Sequence, residues 1–140
     1  MVGQGLWGVS GAPFATTRWA YDPWGNVIST TDALGRVSTT SYDATYHAFA
    51  TGSCSAVGEP EELCTFTEYY DVNEATITGS FGLFGQVQRT YDDNGTDTAV
   101  VQVYDAFGRV VKVVRPGDSV SIPTEIWEYS DAYSGGGCRG

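Results

Sequence analysis

Positive charge is what this chain has least of. Seven lysine and arginine residues face 17 aspartate and glutamate residues over 140 positions, for a net charge of −10. Nucleic acids and anionic membrane surfaces are held by basic patches, so both are excluded as partners. Long apolar runs are absent, and nothing approaches the roughly 20 residues of a membrane-spanning helix. The first residues, Met1-Val-Gly-Gln-Gly-Leu-Trp7, lack the charged and apolar regions of a signal peptide. A soluble chain without its own export signal is expected. Helix formers are scarce as well: Leu, Lys, Met and Gln together supply 10 residues. No stretch repeats its apolar residues cleanly at the helical period.

Residues that suit a pleated, half-buried surface fill the gap. Val (15), Ile (4) and Thr (16) make up a quarter of the chain, and 6 Phe, 4 Trp and 9 Tyr join them. The 18 glycines and 5 prolines are scattered at turn-like intervals. The composition predicts an all-β protein of repeated antiparallel hairpins, large enough for one domain and one core.

Two short words recur. Tyr followed by Asp occurs at Tyr21-Asp22, Tyr42-Asp43, Tyr70-Asp71, Tyr91-Asp92 and Tyr104-Asp105, where 9 Tyr and 10 Asp would meet by chance less than once. Asp-x-x-Gly occurs at Asp22 to Gly25, Asp32 to Gly35, Asp92 to Gly95 and Asp105 to Gly108. The second word is a turn: the Asp carboxylate bonds a backbone N–H two residues on, and the Gly takes positive φ ahead of a bulge. Strands are expected near 14–21, 26–31, 36–42, 46–51, 64–70, 75–81, 86–91, 98–104, 109–115 and 124–130. Residues 1–13 read as an N-terminal segment, 14–133 as the repeat sheet interrupted by a Cys-containing loop at 52–63, and 134–140 as a Gly-rich tail.

Residues 21–43 carry Tyr-Asp-Pro-Trp-Gly-Asn-Val, a second Asp-Ala-Leu-Gly-Arg-Val, and Tyr-Asp again after 21 positions. This pattern resembles the YD (RHS) repeat family. The words Tyr42-Asp-Ala-Thr-Tyr-His-Ala-Phe49 and Val114-Arg-Pro-Gly-Asp118 are most similar to the shells of bacterial toxin-complex B components. The resemblance implies a β-sheet that spirals into a hollow shell, secreted or at the cell surface. Partners would be other copies of the chain or the remainder of a larger shell. The family's self-cleavage motif is not among the residues.

The chemistry-bearing residues are few. Cys54 and Cys64 are expected to pair in an exported chain, leaving Cys138 free for another molecule. Three cysteines and one histidine lack metal-ligand spacing, so neither a metal nor a cofactor is expected. His47 has no nucleophile elbow to serve and reads as a strand residue, so no catalytic residue is expected. Asp92-Asp-Asn-Gly-Thr-Asp97 clusters oxygen atoms but lacks the 12-residue loop and closing Glu of a calcium-binding EF-hand. Glu59, Glu61 and Glu62 read as a solvated loop. Trp19, Tyr21, Trp24, Phe84, Tyr91, Tyr104, Phe107 and Trp127 read as sheet core rather than a sugar-binding face. The function expected is a non-enzymatic structural module, with a self-assembling fibre or tube as the rival and an adhesin as a weaker one.

Overall fold

The computed structural model describes residues 15–73 and 77–130. The expected 1–13 segment, the 134–140 tail and Cys138 lie outside the described residues. The remainder forms nine strands: β1 Arg18–Tyr21, β2 Val27–Thr31, β3 Val37–Tyr42, β4 Ala50–Ser55, β5 Leu63–Tyr69, β6 Val87–Asp92, β7 Val100–Tyr104, β8 Val110–Val114 and β9 Glu125–Ile126. They pair in sequence order, each antiparallel to the next, in one sheet. The protein is all-β. Among the described residues its sheet is open, because β1 pairs only with β2 and β9 only with β8; the expected spiral does not close or curl strongly over this length.

Two strand expectations are corrected. Residues 77–81 are not a strand. Ser80 N–H bonds the Ile77 carbonyl around Gly79, whose φ is 79°, and this turn belongs to the long connection between β5 and β6. Alternating Thr, Ile and Thr suggest a strand there, but the turn-forming Gly79 breaks it. The strand expected from 46 starts only at Ala50, since residues 43–49 wind around Asp43. It then runs on through Ser55, so the loop expected at 52–63 narrows to 56–62. Cys54 therefore lies in β4, directly opposite Cys64 of β5, and the two are joined as a disulfide.

A single sheet has two faces and little to cover them. The buried side chains are Cys64, Tyr70, Ala99, Val103, Tyr104 and Val114, with Asp43 and Gln88 among the polar ones. Four of these, Tyr70, Gln88, Val103 and Tyr104, gather where β6 and β7 part. The β6–β7 ladder holds only two residue pairs, and past its end Tyr104 N–H donates to the Phe81 carbonyl at 2.7 Å. The β5–β6 connection thus takes over as the partner of β7. The expectation that the aromatics form the sheet core fails for most of them: Trp24 is 61% exposed and Phe107 76%, and Tyr21, Phe84 and Trp127 are exposed too. The physical reason is that the described residues form no second layer, without which a side chain standing off the sheet meets water.

Candidate functional site

The repeated turns are the best-defined local feature. In three of them the Asp Oδ1 accepts two backbone N–H groups: from Trp24 and Asn26 at Asp22, from Leu34 and Arg36 at Asp32, and from Phe107 and Arg109 at Asp105, all at 2.8–2.9 Å. The residue after the glycine then binds Oδ2 with its side chain, through Asn26 Nδ2 at 2.9 Å and through Arg36 and Arg109 Nε at 2.7 Å. That accounts for the Asn or Arg following each of these glycines. Gly25, Gly35 and Gly108 have φ of 89°, 85° and 79°, a conformation costly to any residue with a Cβ. The Asp92 turn differs: Gly95 has φ 87°, but Oδ1 receives Asn94 and the Thr98 hydroxyl, because a short 3-10 turn over Thr96–Thr98 follows.

These carboxylates all titrate below their ordinary range. Burial pushes Asp22 and Asp105 up but the donors outweigh it; the Arg36 N–H leads for Asp32 and the Asn94 N–H for Asp92. Each is spent on its own turn.

The tyrosines have a role that the words alone conceal. At four places the ladder skips a residue just inside a strand: Tyr21 pairs with Val27 while Ala20 pairs with Ser29, and the same slip recurs at Tyr42 with Ala50, Tyr69 with Val87 and Tyr104 with Val110. A bulge of this kind disturbs the ladder around it. The carbonyls at these four positions each receive a tyrosine hydroxyl from the next odd-numbered strand or beyond. Tyr42 reaches Val27 at 3.4 Å, Tyr69 reaches Ala50 at 2.7 Å, Tyr104 reaches Val87 at 2.9 Å, and Tyr129 reaches Val110 at 3.0 Å. The repeat is thus stitched sideways, each tyrosine to the bulge before it.

Tyr69 and Tyr129 belong to no Tyr-Asp word and were not singled out by sequence. A search for tyrosines near the ends of alternate strands would have found them. Tyr70 does a different job: its hydroxyl donates to the Gln102 carbonyl at 2.8 Å, its ring meets Tyr104 edge-on, and Asp71 follows at φ 60°. Tyr91 lies nearer the opposite end of the sheet, stacked on Phe66, with its hydroxyl 3.4 Å from Glu68 Oε1. Replacing Tyr104 by Phe removes the single hydroxyl proton that the Val87 carbonyl and Gln102 Oε1 share at a buried site. A loss of about 1–3 kcal/mol is expected in a urea titration.

Asp43 forms the most complete clamp. It is 5% exposed, and its two oxygens accept backbone N–H groups from Thr45, Tyr46, Ala48 and Phe49. Burial raises its pKa, but the four N–H donors bring it far below the usual carboxylate range. The loop so wound holds His47 at φ 53°, with its ring stacked on Trp24 at 3.4 Å between centroids. His47 is therefore in a turn, not in a strand. Because the folded pKa is depressed, the contribution of Asp43 is complete above its unfolded value of about 3.9 and is lost as pH falls toward the folded one. Asp43→Asn is expected to melt lower than the parent at pH 7, with the gap narrowing steadily below pH ~4. Thermal melts of both chains across that range check it, and parallel acid limbs would contradict it.

At the other end of the sheet, Cys54, Glu62 and Cys64 bring a ligand atom each within 4.8 Å of one another. The Asp92–Asp97 segment is tied up in its own turn, and Asp93 accepts the Cys64 N–H at 2.9 Å. Glu59 and Glu61 lie in the exposed 56–62 loop. Among the described residues, no helix is long and apolar enough to cross a membrane.

An open antiparallel meander, turned by aspartate clamps and laced by tyrosine hydroxyls, defines a class of β-repeat sheet. Within it, residues 16–47 match the family model described as RHS Repeat. The match spans β1 to β3, both Asp-x-x-Gly turns between them, and most of the Asp43 loop. No curated protein matches the chain.

Proposed function

We propose that this chain is a non-enzymatic structural module, a stretch of wall in the shell or scaffold of an exported repeat protein. The open sheet carries the reading: among the described residues β1 and β9 each have one strand neighbour, so their outer N–H and C=O groups template further strands. The matched RHS repeat supports it, since such repeats belong to larger arrays, and the bonded cysteines favour an oxidising compartment. Toxin-complex shells are the particular setting suggested by the words at 42–49 and 114–118. The aspartates of the turns are consumed by backbone donors, which leaves them no part in catalysis.

Sedimentation tests the reading. The expected result is a mass above 15.0 kDa that rises with salt, because the net charge of −10 repels copies until it is screened. A compact monomer that unfolds cooperatively at both low and physiological ionic strength would overturn it. The two free edges lie on opposite sides of the sheet, which also suits an end-to-end fibre. Negative-stain images distinguish fibres from closed shells.

A further inference from the structure

We propose that the β4–β5 hairpin carries a redox-gated metal site, in which the reduced thiols of Cys54 and Cys64 with the carboxylate of Glu62 hold a zinc ion. Sequence spacing gives no hint of it, since the cysteines are ten apart and the histidine is elsewhere. Register brings them together: Cys54 and Cys64 are directly opposed across the ladder. Glu62 immediately precedes β5, and its Oε1 lies 3.8 Å from Cys64 Sγ.

Two thiolates and one carboxylate are a donor set that zinc accepts, with a water completing the tetrahedron. Opposed strands place two sulfurs close enough to share one ion once the bond between them is gone. Glu62 is held in place from behind, because its Oε2 accepts the Gly58 N–H at 2.8 Å. Its exposure and the partial exposure of Cys54 give the ion a way in. The surroundings also favour a cation. Glu59, Glu61, Asp92, Asp93 and Asp97 all lie at this end of the sheet, in the 56–62 loop and the neighbouring β6–β7 turn.

The oxidised and metal-bound forms exclude each other, since both use the same sulfur atoms. A dithiol reductant passes two electrons and two protons to the Cys54–Cys64 bond and closes into its own disulfide. Zinc then displaces both thiol protons to solvent as it binds. The hairpin is thereby cross-linked in either compartment, by a covalent bond where conditions are oxidising and by an ion where they are reducing.

Cobalt(II) titration of the full chain tests this, with Cys138→Ser in the background and a phosphine reductant that offers no competing thiolate. The reduced chain is expected to bind one Co²⁺ with a thiolate-to-metal charge-transfer band, and Zn²⁺ should displace it. The oxidised chain should show no band. Cys54→Ser should abolish it, and Glu62→Gln should weaken binding at least about tenfold, since losing even a supporting partner of a ligand costs about 10- to 100-fold. Glu62 sits in the exposed loop, so its replacement leaves the fold intact. A reduced chain without the band would overturn the proposal. So would a band that survives Cys54→Ser, or affinity unchanged in Glu62→Gln.

Discussion

Gly82→Ala is expected to cost about 3 kcal/mol, at the upper end of what one added methyl group does to a packed interior. A Cβ built at Gly82 would lie 2.1 Å from Cδ2 and 2.3 Å from Cε2 of Tyr70. Contacts that short require one side to move, and moving the ring breaks what holds it. Tyr70 is buried, its hydroxyl is bonded to the Gln102 carbonyl, and its ring packs edge-on against Tyr104 at 6.0 Å. The alternative is for the backbone at 81–83 to lift, which would pull the Phe81 carbonyl away from the Tyr104 N–H. Either path damages the junction where β6 and β7 separate and where much of the small core sits. A chemical denaturation curve should shift its midpoint with little change in slope. A change within 0.5 kcal/mol would mean that the 77–86 connection rides loosely over the sheet.

Gly82 also shows where sequence reading stops. Its φ is not positive and it belongs to no repeated word, so nothing local distinguishes it. Its importance comes from a ring twelve positions earlier. Asp22, Asp32 and Asp105 are the opposite case. The chemistry of their turns is contained within five residues, and a carboxylate, a glycine and a following Asn or Arg are enough to write the hydrogen bonds in advance. Local periodicity likewise announced β2, β3, β7 and β8, each rich in Val or Thr and bounded by such a turn.

What the residues did not announce depends on contacts between turns. The tyrosine hydroxyls bridge 15 to 19 positions, from Tyr42 to Val27 or from Tyr69 to Ala50. The repeat unit of 21 is visible in sequence, but the bulge that each tyrosine serves is not. The aromatic residues misled for a related reason. Trp24 and Phe107 have the composition of a core, and burial of such rings needs a second layer that one open sheet does not supply. The 43–49 loop misled because Tyr, His and Phe look like a strand until Asp43 is seen to collect four N–H groups.

Glu68→Ala should be comparably severe, at about 3 kcal/mol, because it strands a cation that has little access to water. Glu68 and Arg89 are a register pair beside the bulge of the β5–β6 ladder, the one with the most residue pairs in the sheet. Their side chains are only 13% and 16% exposed, and the guanidinium binds both carboxylate oxygens, at 2.9 Å from Nε and 2.8 Å from Nη2. A fork of this kind is stronger than a single surface ion pair, and the Arg89 carbon at its centre lies 5.6 Å from the Tyr91 ring. Without Glu68, the Tyr91 ring alone remains among the described residues to offset the desolvated charge. The pair itself is a different matter, since bringing two charges out of water cancels much of their attraction. Glu68→Leu combined with Arg89→Met is therefore expected to recover most of the loss, leaving the double variant within about 1 kcal/mol of the parent. A double-mutant cycle in urea measures both arms. Equal losses for the single and the double replacement would mean that side-chain packing, rather than the stranded charge, governs the centre of the sheet.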